Sequence, residues 1–353
     1  MSQKNVLVLF GGVSPEHEIS MASAAFVINT LGSHNVVPVH ITQEGKWLLY
    51  DGKLDNIQNI DWKKFGTPAI LSPDRVNRGL MRIVGDKVKM VPVDVVLPIL
   101  HGVNGEDGTI QGLCELAGIP YIGCGVLASS VAMDKAAMKL IAKALKIPQT
   151  DYLTITSSEF ISKPKPFLKK VQTKLGYPCF VKPNVGGSSI GVSKATNQEE
   201  LEEAIKLAME LCPKVVIEKA VIGREVEVGI LGAGANAKAS VVGEIVTDSG
   251  SAFYDYEAKY TNPASKTIVP ADLPETIVKK IQKYALDLYN AIDGKGLSRV
   301  DFFVPESGDI IFNEINTVPG FTSISMYAKM WEASGISNDA LVECLIEQAL
   351  GDI

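Results

Sequence analysis

At 353 residues and 37.9 kDa the chain exceeds what one ordinary core holds, so two or three domains are expected. Its 46% hydrophobic and 21% charged residues are globular composition, and a net charge of −6 leaves no basic footprint for nucleic acid. No apolar stretch approaches the ~20 residues of a membrane helix, the first apolar run meets Gly11–Gly12 too early for a signal-peptide core, and five scattered cysteines without C-x-x-C fit a reduced, cytoplasmic protein.

Along the first ~120 residues apolar strand patterns alternate with helical ones, the sign of a doubly wound parallel sheet. "VLVLF" is apolar throughout, as a strand buried on both faces should be. "SMASAAFVINTL" then reads as a helix, and "VVPVHIT" and "VDVVLPILHG" as strands. The pattern changes near "GIPYIGCGV". A helix, "AAMKLIAKAL", follows and is stopped by Pro148. "PCFVKP" and "VSKA" read as strands flanking a glycine- and serine-rich loop, and "QEELEEAIKLAMEL" as an amphipathic helix. Beyond it long strands dominate, interrupted by a polar, tyrosine-rich segment from Ser249 to Pro270 and by the helix "PETIVKKIQKYALDLYNAI". Three α/β units follow from these shifts: 1–124, 125–215 and 216–353.

Two glycine motifs need separating. "GCGVLA", Gly123 to Ala128, has the shape of a dinucleotide fingerprint. Such a fingerprint requires a ribose-binding acid about 20 residues on, and "IAKALKIPQ" supplies none, so it reads as a turn between domains. "KPNVGGSSIG" is not a P-loop either, because no G-x-x-x-x-G-K-[ST] occurs in the chain. Its glycines still allow backbone N–H groups to converge on an anion. Ser188 and Ser189 add hydroxyl donors, and Lys182 ends an apolar strand where its ammonium can meet a phosphate.

The segment "SRVDFFVPESGDIIFNEIN" holds two apolar runs around a Pro-Glu-Ser-Gly-Asp turn, an antiparallel hairpin. Pairing Val304 with Ile311 sets Phe303 against Phe312, Asp301 against Glu314 and Arg299 against Asn316. Period-two alternation then puts Arg299, Asp301, Glu314 and Asn316 on one face. Opposed carboxylates repel and are costly to desolvate among apolar residues. A hard divalent cation relieves both, and two carboxylates with an amide oxygen suit Mg²⁺ carrying nucleotide phosphates.

The order "GGVSPEHEIS", "LHGVNGEDGTIQG", "MDK", "VKPNVGGSSIGVSK", "VIEKAVIGREVEV", "FYDYEAKY", "RVDFF" and "NEINTVPGFTSISMY" resembles, from end to end, the D-alanine–D-alanine ligase family of ATP-grasp enzymes. The resemblance implies a three-domain ATP-grasp fold, ATP and D-alanine as substrates, two Mg²⁺ ions with Mn²⁺ able to substitute, a cytoplasmic homodimer, and a role in peptidoglycan precursor synthesis. It implies that Lys135, Lys182 and Lys259 hold the ATP phosphates beside Ser189, that Glu218 and the backbone of Lys219 and Val221 receive the adenine, and that Glu225 receives the ribose. Asp301, Glu314 and Asn316 would bind the metal ions. Glu16 would hold the ammonium of the first D-alanine in a triad with Ser188 and Tyr260, with His101 near that substrate's carboxyl end. Arg299 and the N–H of Gly320 would stabilise the oxyanion, and Ser325 the carboxylate of the second amino acid. The segment 249–270 would be the lid over the acyl phosphate. Ala328 departs from the proline many members carry after "SMY".

Alternatives from other classes are a different ATP-grasp ligase, a nucleotide sensor without catalysis, and a nicotinamide oxidoreductase. The "GGVSPEHEIS" match, the presence of Glu16, Arg299 and the metal ligands, and the failed fingerprint weigh against each in turn. D-alanine–D-serine or D-alanine–D-lactate ligation is the nearer alternative. The resemblance favours D-alanine as second substrate, through Tyr260 and through Met326 where the D-serine enzymes carry an arginine.

Overall fold

The computed structural model of the chain describes residues 2–32, 34–54, 57–247, 265–322 and 324–351. Within them, residues up to Ala117 form β1 (Asn5–Gly11), α1 (His17–Thr30), β2 (Asn35–Ile41), β3 (Trp47–Leu49), α2 (Trp62–Phe65), β4 (Thr67–Leu71), β5 (Leu80–Val84), β6 (Lys87–Val91), β7 (Val95–Ile99) and α3 (Thr109–Ala117). The seven strands lie in the order β6-β5-β4-β3-β2-β1-β7. Val6 to Phe10 are completely buried on both faces of β1, each such side chain contributing about 1.5–3 kcal/mol. The expected parallel core is β2-β1-β7. It is extended on one side by an antiparallel meander, β3 to β6. The meander follows from its connections: Gly85–Asp86 makes a two-residue hairpin turn, with Gly85 at φ +58°.

The middle of the chain gives α4 (Val126–Met133), α5 (Lys135–Ala144), β8 (Tyr152–Thr156), α6 (Ser157–Ser162), α7 (Pro164–Lys174), β9 (Cys179–Pro183), β10 (Ser193–Ala195), α8 (Gln198–Leu211) and β11 (Lys214–Lys219). Its sheet has the order β10-β9-β11-β8. Helix α8 starts at Asn197, whose side chain accepts from the Glu200 N–H, and buries Leu201, Ala204, Ile205 and Ala208 at i, i+3, i+4 and i+7.

The third sheet, order β14-β13-β12-β15-β16, is antiparallel: β12 (Arg224–Leu231), β13 (Lys238–Thr247), β14 (Ser265–Ile268), β15 (Leu297–Val304) and β16 (Ile311–Asn316). Helices α9 (Glu275–Ala291), α10 (Met326–Ala333) and α11 (Asn338–Leu350) complete it. Residues 265–268, which the sequence reading placed in a polar loop running to Pro270, are therefore a strand paired with β13. The rest of that loop through 264, with Lys259 and Tyr260, lies outside the described residues. Among the described residues no helix is long and apolar enough to cross a membrane, and all five cysteines are free thiols.

Candidate active site

Between the second and third sheets lies a cleft of about 820 Å³, its open mouth included. Lys135 enters it from the start of α5, Lys182 from β9, and Gly186, Gly187 and Ser189 from the β9–β10 loop. Glu218 and Lys219 come from β11, Val221 from the connection into β12, Glu225 from β12 and Glu314 from β16. The nucleotide residues implied by the sequence thus share one cavity, apart from the undescribed Lys259. The glycine loop turns tightly there, with Ser188 and Ser189 both left-handed at φ +46° and +58°. Such turns are uncommon for side-chain-bearing residues and cluster at ligand sites.

Cationic charge in the cleft is organised by Glu218. Its Oε2 lies 2.9 Å from Lys182 Nζ and its Oε1 3.0 Å from Lys139 Nζ. Burial would raise the Glu218 pKa, but Lys182 and Lys139 outweigh it and hold the carboxyl at about 2. For Lys182 burial opposes ionisation, and Glu218 followed by Glu314 reverse that into a raised pKa. Lys182 also donates to Asn313 Oδ1 at 3.2 Å, and Lys135 donates to the Gly186 carbonyl at 2.6 Å. Burial lowers the pKa of Lys135, with Glu314 acting against it. Lys139, which the sequence does not single out within its helix, is fully buried, with its ammonium 5.2 Å from the Tyr152 ring centre.

Glu16 is buried at 6% exposure just before α1 and meets the glycine loop. Ser188 of the glycine loop donates to its Oε1. Glycines make this approach possible: a Cβ at Gly102 would lie 2.3 Å from Glu16 Oε2, and one at Gly187 2.9 Å. Two members of the implied triad are therefore in contact, and the third, Tyr260, lies outside the described residues. His101 is buried, its Nδ1 3.0 Å from the Val318 carbonyl and its Nε2 3.1 Å from Ser23 Oγ. A carbonyl only accepts, so Nδ1 carries the proton, and burial lowers the imidazole pKa. Glu106 grips the same loop from the other side, accepting from the N–H of Val318 and of Gly102, both at 2.9 Å. Burial, reinforced by Glu16, pushes its carboxyl up to about 8.

On the third sheet Arg299 pairs with Asn316 and Asp301 with Glu314, as the hairpin reading requires. The register then slips. Phe302, not Phe303, opposes Phe312, and Phe303 opposes Ile311, because a bulge falls just beyond the Asp301–Glu314 pair. The surplus residue, Asn313, is the one that meets Lys182. Asp301 is 2% exposed. Arg299 donates to both its oxygens, Nε to Oδ1 at 2.8 Å and Nη2 to Oδ2 at 2.7 Å. Asn316 Nδ2 donates to Oδ2 at 3.0 Å. Burial disfavours the guanidinium charge, but Asp301 and Glu227 raise the Arg299 pKa well above its ordinary value. The repulsion expected between the carboxylates is thus partly relieved by Arg299.

Among the described residues no three His, Cys, Asp or Glu side chains gather as a metal site; the donors a hard divalent cation would use are two carboxylates and an amide, Asp301, Glu314 and Asn316. Glu227, Asp301 and Glu314 outnumber the one guanidinium among them, with Lys135 and Lys182 also acting on Glu314 from the cleft. Carboxylate oxygens have further lone pairs to offer, and Asn316, donating through Nδ2, keeps its amide oxygen for a ligand. Beyond the hairpin, Ser325 precedes α10 and its Oγ accepts from the Thr322 N–H at 3.0 Å. Gly320 lies against it, since a Cβ there would be 3.2 Å from Ser325 Oγ. Met326 and Ala328 are buried in α10.

A mixed α/β chain in which a glycine-loop sheet and a carboxylate-bearing antiparallel sheet close on a lysine-lined cleft defines the ATP-grasp fold. Two family profiles match it: D-ala D-ala ligase N-terminus over residues 5–124 and D-ala D-ala ligase C-terminus over residues 141–347. The chain is 48% identical to a D-alanine–D-alanine ligase of Acetivibrio thermocellus, covering 99% of this chain and 96% of that one. It is 44% identical to that of Caldicellulosiruptor bescii, with the same coverage. Among solved structures it superposes on the VanG D-Ala:D-Ser ligase of Enterococcus faecalis with a TM-score of 0.88, 37% identity, and coverage of 99% and 100%. The D-alanine–D-alanine ligase of Coxiella burnetii gives 0.85, 31% identity, and coverage of 99% and 96%. The chain belongs to the D-alanine–D-alanine ligase family.

Proposed function

We propose that this protein joins two D-alanines into D-alanyl-D-alanine at the expense of ATP, supplying a peptidoglycan precursor in the cytoplasm. The observation that carries the reading is the meeting of the Arg299–Asp301–Glu314 group, with Asp301 buried, and a lysine-lined cleft, in a chain of this family.

A carboxylate resists attack by an amine because its oxygen is a poor leaving group. Transfer of the ATP γ-phosphoryl group to the first D-alanine's carboxylate gives an acyl phosphate, and ADP departs. Lys135 and Lys182, with Lys259, would spread the charge that moves. Ser189 and the glycine loop would cover the phosphates. Glu218 backs Lys182, so it would reach adenine only through its remaining lone pairs, leaving the backbone of Lys219 and Val221 as the main base contacts and Glu225 as the ribose contact. Mg²⁺, held by Asp301, Glu314 and Asn316, would neutralise phosphate charge, and two ions with Mn²⁺ as substitute belong to this proposal.

Glu16 would fix the first substrate's ammonium, with Ser188 and Tyr260 fixing Glu16, and His101 would face that substrate's carboxyl end. The second D-alanine's free amine then attacks the acyl carbon. Arg299 and the Gly320 N–H would stabilise the tetrahedral oxyanion. Phosphate leaves and the amine loses its proton, while Ser325 holds the new carboxyl terminus. Units 1–124, 125–215 and 216–353, a homodimeric assembly, and a lid within 249–270 complete the reading. Incubation with ATP, Mg²⁺ and D-alanine should release phosphate and yield the dipeptide by mass spectrometry. Absence of D-alanine-dependent phosphate would refute it.

A further inference from the structure

Glu227 has no place in the roles above, yet it is 3% exposed in the middle of β12. It pairs directly with Asp301 on β15, which pairs in turn with Glu314 on β16. Three carboxylates therefore stand side by side across three strands, and side chains paired this way point to one face of the sheet. A buried carboxylate needs a counter-charge, and Arg299 Nε lies 3.1 Å from Glu227 Oε2. The guanidinium is shared along one edge: Nε and Nη2 donate to Asp301, and Glu227 Oε2 lies 3.1 Å from the same Nε. Opposite Arg299 on β12 is Gly229, which offers no side chain. On the far side of Glu227, β13 presents Gly243, where a Cβ would lie 2.7 Å from Met326 Sδ. A methionine thus walls this end of the row against water. Asp301 and Glu314 lie at the end where the ligase reading puts the metal, and Glu314 lines the cleft while Glu227 does not.

We infer that Glu227 is a positioning residue for Arg299, holding the guanidinium in place when Asp301's oxygens are drawn to the metal. This rests on the ligase reading, in which Asp301 serves metal and Arg299 serves the oxyanion. A cation competing for Asp301 weakens its hold on Arg299. Glu227, one strand further from the cleft, is the counter-ion that stays. It acts on turnover through Arg299 and contributes nothing to nucleotide binding.

The test is Glu227→Gln, alone and combined with Arg299→Lys, in the full-length protein. Glu227→Gln should lower kcat about tenfold or more while leaving KM for ATP within about threefold, the signature of an interaction needed only in the transition state. In the Arg299→Lys background the same change should cost less than about twofold, because both act through one group. Mn²⁺ affinity in the presence of ADP, read by electron paramagnetic resonance without turnover, should stay within about threefold, since Glu227 is not a ligand. Glu227→Asp, which keeps the charge, should recover part of the rate, and it carries the same measurements if the glutamine variant does not fold. Unchanged kcat, fully additive losses in the double variant, or a large loss of Mn²⁺ affinity would each overturn the assignment. A wild-type protein without D-alanine-dependent phosphate release would instead remove the ligase reading itself.

Discussion

Glu218 divides its carboxylate between two lysines, Lys139 behind the cleft and Lys182 within it, at 3.0 and 2.9 Å. The pairing fixes where Lys182 can place its charge. It also makes a pH prediction. The Glu218 carboxyl titrates at about 2 in the folded chain against an ordinary 4.5. Its stabilisation is therefore complete above about pH 4.5 and is lost as pH falls towards 2. Glu218→Gln should be destabilised by roughly 3–5 kcal/mol at neutral pH, because two buried ammonium groups lose their shared partner. It should also show a shallower decline in urea midpoint between pH 5 and 3. An acid decline as steep as wild type would remove this account.

Glu106 predicts the opposite slope. Its folded pKa, about 8, lies above the ordinary 4.5, so the native chain holds a proton that the unfolded chain has released. Stability from this group is greatest at the acid end and falls as pH rises from about 4.5 to 8. Glu106→Gln should flatten that fall, whatever its absolute midpoint, since the amide cannot ionise. Denaturation at pH 5, 6.5 and 8.5 measures it, and parallel slopes for both proteins would contradict it.

For the metal assignment the informative change is Glu314→Gln. The variant should fold and melt within a few degrees of wild type, as the repulsion eased between neighbouring carboxylates offsets the attraction lost to Lys135, Lys182 and Arg299. Phosphate release should fall by about two orders of magnitude at limiting Mg²⁺ and recover in part at high Mg²⁺. Wild-type rates at limiting Mg²⁺ would exclude Glu314 from the ligand set.

The second substrate should be D-alanine. Met326 is buried against Gly243, a packing role, and its thioether is a poor hydrogen-bond partner for a serine hydroxyl. A hydroxyl buried without a partner costs on the order of 1–3 kcal/mol, about tenfold or more in selection. The overall fold cannot make this choice, given the close superposition on a D-Ala:D-Ser ligase. Product analysis with equal D-alanine, D-serine and D-lactate decides it, and a dominant mixed product would overturn the specificity.

Local patterning was the legible part of the fold. The run "QEELEEAIKLAMEL" is α8 residue for residue, and the carboxylate pair of the hairpin falls where expected, although the turn pairing of Val304 with Ile311 is one residue off and the bulge at Asn313 restores the register. The one-residue slip at Asn313 was not legible, since a bulge is set by how the edge of β16 meets Pro148 and Lys182, contacts distant in sequence. Lys139 and Glu227 were missed for a related reason. Each is a charged residue in an otherwise ordinary helix or strand, and only the third dimension supplies the partner that makes its burial tolerable. In "REVEVGIL" the signal available was that Glu225 and Glu227 share a face, so that if one serves the cleft the other cannot be far from it.

One apolar cluster runs without interruption from Val6, Phe10 and Ile99 of the first sheet to Leu297, Phe321, Tyr327 and Leu341 of the third. The backbone of Val318 is moreover held at both its N–H and its carbonyl by Glu106 and His101. The four-stranded sheet has a separate cluster of its own. Mechanically, the two ends of the chain behave as one block, to which α4 and α5 also belong because Ala128, Ala132, Met138 and Ala142 pack into the core of the third sheet, and the four-stranded sheet is hung on it. Parting the ends would wet their common apolar seam at about 25 cal/mol per Å², whereas swinging the four-stranded sheet alone leaves these clusters dry. On the proposed ligase reading, admission of ATP and escape of ADP would belong to that sheet, and Glu16, His101, Arg299 and Ser325, proposed to hold or act on the two amino acids, would keep their spacing.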